Sequence, residues 1–185
     1  FCPSINTRST VLEVQHWQTT LGENANLVFE SYNNNSYGFL GFNTQGNFTK
    51  SANLRQAIAY GFNRQKFVED YFVSYGERVD AALPVDSDLY KLLAASEGAK
   101  DGLEFNKYDY NVEKARELLA EVGYSWSDSG ELYLVEDKVE LTFLVNVDNR
   151  ILESLIPQFQ EDMKALGITV NIENHTYSEI KKILT

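Results

Sequence analysis

With 185 residues the chain is long enough to bury a single core, and at 43% hydrophobic and 13% aromatic residues it reads as globular. Its 27 acidic against 16 basic residues leave a formal net charge of -11, which disfavours nucleic acid and anionic lipid as partners, because phosphate binding needs clustered Lys and Arg. No apolar run is long enough to span a bilayer, and a single cysteine, Cys2, excludes an internal disulfide.

Cys2 reads as a small buried residue, and nothing resembling a signal peptide precedes Phe1 to make it a lipid-anchor position. From Thr7 the spacing predicts a helix with Val11, Val14, Trp17 and Leu21 on one face and Gly22 as its stop. LVFESY (27–32) and YGFLGFN (37–43) then read as two strands of a hairpin joined by the Asn-rich turn 33–36, with Tyr37 and Phe39 on the same face. After the polar loop 44–51, Ser51 or Asn53 caps a helix that places Leu54, Ala57, Ile58 and Gly61 inward. Asn63 restarts the pattern as the cap of a second helix, whose stripe is Phe67, Val68, Tyr71 and Phe72.

Residues 73–107 read as a long surface loop with one short helix at YKLLAAS (90–96). Asn111 caps the next helix, with Val112, Ala115, Leu118, Leu119 and Val122 inward and Gly123 as its stop. The stretch 130–146 alternates as a hairpin, Leu132 and Leu134 on one arm, Leu141, Phe143 and Val145 on the other, with its turn near 136–138. Asn149 or Asp148 caps a helix running to Leu166, with Leu152, Leu155, Phe159 and Met163 as its stripe, Pro157 inside it and Gly167 as its stop. Ile168, Val170 and Ile172 alternate as a strand, and a last helix covers 177–184.

Chemistry-bearing motifs are missing from this pattern. No Gly-rich run ends in Gly-Lys-Ser or Gly-Lys-Thr, no Gly-x-Ser-x-Gly occurs, and His16 and His175 lack the spacing of zinc ligands. Neither a metal nor a cofactor is expected. Carboxylate pairs such as Asp86 with Asp88 lie in turns, where hydrated charge explains them better than acid and base roles. Tyr32, Tyr37, Phe39 and Phe42 fit two roles equally, the wall of a cleft or part of a core.

Five motifs taken together resemble the oligopeptide- and dipeptide-binding members of the family 5 extracellular solute-binding proteins of bacterial ABC importers. They are Phe42-Asn43, Leu54-Arg55-Gln56-Ala57, Asn63-Arg64, Tyr110-Asn111-Val112-Glu113-Lys114-Ala115 and Val122-Gly123-Tyr124. Asn111 and Val112 stand where that family has Asp-Pro, which keeps the capping side chain and loses the stiff first turn. The resemblance implies an α+β fold, a mixed β-sheet with flanking helices like the C-terminal-side lobe of those proteins. It implies that residues 1–185 form a single domain, a fragment of that lobe. Asn43, Arg55, Asn63 and Asn111 would be structural, and Tyr37, with Phe39 beside it, would face the ligand. The acidic residue that holds a peptide's amino group in the family would lie beyond Thr185. The implied function is capture of oligopeptides or dipeptides outside the cell by lobe closure, without catalysis. Another solute, such as an oligosaccharide or a nickel complex, is the alternative within the family, and a hydrolase or interaction domain the alternative outside it. The implied partners are a peptide, the permease subunits through the parent protein, and a membrane only through an anchor absent from this chain. The implied location is extracellular, as a cell-surface lipoprotein or in the periplasm.

Overall fold

The computed structural model describes residues 12–13, 16–17, 19–20, 36–72, 75–95 and 106–184. Besides helical residues between 12 and 20, these form helices α1 (Ala52–Gly61), α2 (Arg64–Phe72), α3 (Asp88–Ala95), α4 (Val112–Ala120), α5 (Ile151–Ala165) and α6 (Tyr177–Leu184). The strands are β1 (Tyr124–Trp126), β2 (Leu132–Leu134), β3 (Asp137–Lys138), β4 (Glu140–Asn146) and β5 (Thr169–His175). The chain divides into two compact units, Phe1–Leu40 with Val68–Lys107 and Gly41–Phe67 with Tyr108–Thr185.

The second unit holds almost all of the described core. Ser51 opens α1 by accepting the Leu54 N–H at 3.3 Å, and Leu54, Ala57, Ile58 and Gly61 are the buried face, as their spacing requires. That face packs on α4 and α5, and Asn53, the other candidate cap, instead donates its amide to the Leu118 carbonyl at 3.1 Å. Each fully buried Leu or Ile stabilises the seam by roughly 1.5–3 kcal/mol. At Gly61 the contact is close: a Cβ there would sit 2.5 Å from Leu166 Cδ1, so a larger residue fits only if the buried Leu166 side chain shifts.

β1, β2 and β3 form an antiparallel meander, whereas β4 and β5 pair in parallel. Parallel neighbours need a crossover, and α5 supplies it. The expected hairpin with arms at 132–134 and 141–145 is therefore corrected. Its first arm turns back only through Asp137, Lys138 and the Val139 N–H bonded to the Leu132 carbonyl, after which β4 leaves to lie beside β5. Alternation fixes which side chains share a face and says nothing about the partner strand. YGFLGFN is also corrected, since 36–43 carries no strand; its expected partner, 27–32, lies outside the described residues. Aromatic content marks a stretch that fits a pleated surface, and a ladder needs a neighbour as well.

Helix ends follow the sequence closely. Asn149 Oδ1 accepts the Ile151 N–H at 3.2 Å at the start of α5, which runs through Pro157 without the bond that residue cannot donate. Its far end is bonded by side chains of other elements: Arg116 donates to the Ala165 carbonyl at 2.8 Å and Trp126 Nε1 to the Leu166 carbonyl at 2.7 Å. The Arg116 guanidinium also lies 4.8 Å from the Trp126 ring centroid, a cation placed at the negative end of a helix dipole. Gly123 and Gly167 take the left-handed conformation, with φ of 88° and 83°. Val122 is exposed although helical spacing would turn it inward, because α4 stops at Ala120. Trp17 is likewise exposed, while the other expected stripe residues of that first helix, Val11, Val14 and Leu21, lie outside the described residues.

In the first unit, Ser87 Oγ accepts the Tyr90 N–H at 3.2 Å and caps α3, which starts two residues before the expected helix. Arg78 pairs with Asp80 at 2.9 Å, and the Asp80 N–H donates to the Tyr90 hydroxyl at 3.4 Å. Leu89 and Leu92 on α3 are exposed.

Three outcomes follow from this geometry. Gly167→Ala would bring a Cβ against the Gly130 carbonyl and 2.8 Å from the Leu132 nitrogen at positive φ, so denaturant melts should show a loss of at least about 2 kcal/mol. Val135 is 84% exposed at φ 60° in the β2–β3 turn, a poor conformation for a β-branched residue, so Val135→Asn should raise stability by about 1 kcal/mol in the same assay. At α6, Thr176 and Glu179 form a reciprocal cap: the Glu179 carboxylate accepts the Thr176 N–H at 2.7 Å and its hydroxyl at 2.9 Å. The backbone bond above all, then the hydroxyl and nearby His175, hold the Glu179 pKa below its ordinary value against a smaller opposing effect of desolvation. A lowered folded pKa gives stability present above the unfolded value and lost as pH falls through the folded one. Amide protection factors in α6 should therefore drop below about pH 4 relative to those in α4, and Glu179→Gln should remove that dependence.

Candidate functional site

Tyr37 and Phe39 belong to the first unit. Their rings lie 6.3 Å apart at 56°, Tyr37 is 39% exposed and Phe39 83%, and a Cβ at the intervening Gly38 would meet open space. The two aromatics touch each other as same-face neighbours, although the segment carries no strand. An exposed Phe paired with Tyr offers apolar area together with one hydroxyl, suited to contacting the backbone and side chains of an extended ligand.

The four residues read as structural all lie in the second unit, and the structure gathers them around α1. Asn43 and Arg55 close the loop that enters this helix. Asn43 Oδ1 accepts the Gln45 N–H at 2.9 Å, its carbonyl accepts the Gly46 N–H and the Thr49 hydroxyl, and Arg55 Nη1 donates to the carbonyls of Thr49 at 2.7 Å and Lys50 at 3.0 Å. Thr49 is the shared member: its hydroxyl donates to the Asn43 main-chain carbonyl and its own carbonyl accepts from the Arg55 side chain, so the loop is held from its two ends. Asn63 and Asn111 act at the opposite end. Asn63 Oδ1 accepts the Lys66 N–H at 3.0 Å and starts α2, while its own N–H donates to Asp162 at 3.0 Å and its carbonyl accepts from Gln158 at 2.9 Å. Asn111 Oδ1 accepts the Lys114 N–H at 2.8 Å and starts α4, and its N–H donates to the Tyr60 carbonyl at 2.9 Å.

Tyr60, Tyr108, Gln158 and Asp162 were not singled out by sequence reasoning. Tyr108 stacks edge-on against Tyr60 at 5.1 Å, and its carbonyl accepts from Arg64 at 3.1 Å. These pairs join residues 44 to 99 positions apart, which no local pattern reports. The electrostatics at this end of α1 are acidic: burial first, then Asp162, Glu113 and Glu161, pushes the Tyr110 phenol up. At the helix start burial also pushes the Tyr124 phenol up.

The outer face of α1 carries a hollow of about 240 Å³ lined by Ala52, Arg55, Gln56, Ala59 and Tyr108. It is smaller than the roughly 300–1,000 Å³ typical of small-molecule sites, so it suits a side chain better than a whole ligand. Among the described residues there is no group of three or more His, Cys, Asp or Glu that could hold a metal ion, and no helix long and apolar enough to cross a membrane.

The profile of the family described as bacterial extracellular solute-binding proteins, family 5 Middle, matches residues 11–183. In sequence the chain is similar to the oligopeptide-binding protein AppA of Bacillus subtilis (strain 168), with 29% identity over 141 residues, 75% of this chain and 24% of AppA. In structure it is similar to AppA from Bacillus subtilis in complex with a nonapeptide, at a TM-score of 0.65 and 24% identity over 77% of this chain and 27% of that one. It is also similar to NikA from Brucella suis in complex with Fe(III)-EDTA, at 0.62 and 20% identity over 76% and 26%. At these identities the structural likeness speaks for the fold alone, an α+β arrangement of sheets and flanking helices. The chain spans about a quarter of the length of the relatives it matches. With nearly all of its residues inside the family profile, the polypeptide belongs to family 5 of the bacterial extracellular solute-binding proteins.

Proposed function

We propose that the protein containing this chain is the substrate-binding component of an ABC importer, capturing oligopeptides or dipeptides outside the cell and releasing them to permease subunits. The observation that carries the reading is the family profile across residues 11–183, taken with the similarity to an oligopeptide-binding protein. The chain itself is part of one lobe. Lobe closure around the ligand would supply binding, with main-chain hydrogen bonds and water-filled side-chain pockets tolerating varied sequences. No step of bond cleavage belongs to this function. The location proposed is extracellular, at the cell surface or in the periplasm.

Tyr37 and Phe39 are proposed to face the ligand. Asn43, Arg55, Asn63 and Asn111 support the scaffold, since each is bonded to backbone within the second unit. A second reading, a receptor for a metal complex or an oligosaccharide on the same lobe, draws on the likeness to NikA.

The complete protein, incubated with a mixed peptide library and examined by mass spectrometry, should yield bound, unaltered peptides. Recovery of cleaved peptides would overturn the binding-protein reading, and binding of a sugar or a nickel chelate with no peptide retained would favour the second one. Phe39→Ala should weaken the preferred peptide by about tenfold or more in calorimetry, the loss of roughly 1–2 kcal/mol expected for an aromatic anchor, with the melting temperature unchanged. The isolated 185-residue chain should bind that peptide far more weakly than the complete protein, because half a cleft must offset the same loss of ligand freedom.

A further inference from the structure

We draw no further inference here: the strongest candidate, the solvent-open hollow along the outer face of α1 lined by Ala52, Arg55, Gln56, Ala59 and Tyr108, carries nothing, because Arg55 is already bonded to two backbone carbonyls and nothing in the structure shows what covers it.

Discussion

The close approach of α1 to the end of α5 is the constraint from which the second unit is built. Gly61 has no side chain, so Leu166 can press against the helix backbone, and Leu166 is itself fully buried. The same turn of chain meets four other demands. The Leu166 carbonyl accepts the Trp126 indole N–H, the Ala165 carbonyl takes Arg116, the Gly167 carbonyl accepts the Leu132 N–H, and the Ile168 N–H donates to the Met163 carbonyl. Helix end and meander are thus tied together within residues 163–168, immediately before β5 begins. A side chain at Gly61 would strike the buried Leu166 side chain, and one at Gly167 would strike the Gly130 carbonyl and the Leu132 nitrogen, where backbone cannot give way.

From this seam the division of labour among the recognisable residues becomes physical. Asn43, Arg55, Asn63 and Asn111 serve the two ends of α1, and their bonds go to backbone groups that would otherwise be left without partners. Replacing Asp-Pro by Asn111 and Val112 is tolerated for the same reason, because the capping oxygen is retained at 2.8 Å. The side chains of these recognisable residues thus bond the backbone at the two ends of α1.

The legibility of the site divides along the same line. Arg55 and the three asparagines could be read as structural because capping and loop closure act within a few residues, a range that sequence spacing reports. The Tyr37 and Phe39 rings do meet, but on a segment without a strand, so the alternation from which their shared face was expected is not the cause. Tyr60, Tyr108, Gln158 and Asp162 could not be read in this way. Their partners lie 44 to 99 residues away, and each looks in isolation like an ordinary surface residue.

Sequence by itself determined most of the helices of the second unit and their buried faces, the Ser51, Asn63 and Asn111 caps and the glycine stops, because each rests on a period of 3.6 or on a bond spanning fewer than five residues, whereas the N-cap of α5 is Arg150, without a side-chain cap, and not the expected Asn149 or Asp148. It also determined the family, through short motifs whose residues cap or pack locally. Only the tertiary structure decided the strand partners. Leu141, Phe143 and Val145 alternate in the same way whether β4 folds back on β2 or lies parallel to β5; the parallel pairing comes with the α5 crossover, which follows β4 in the chain and packs on β5. YGFLGFN shows the same limit from the other side. Its residues suit a strand, but pairing is a property of two segments, and a single sequence window specifies only one of them.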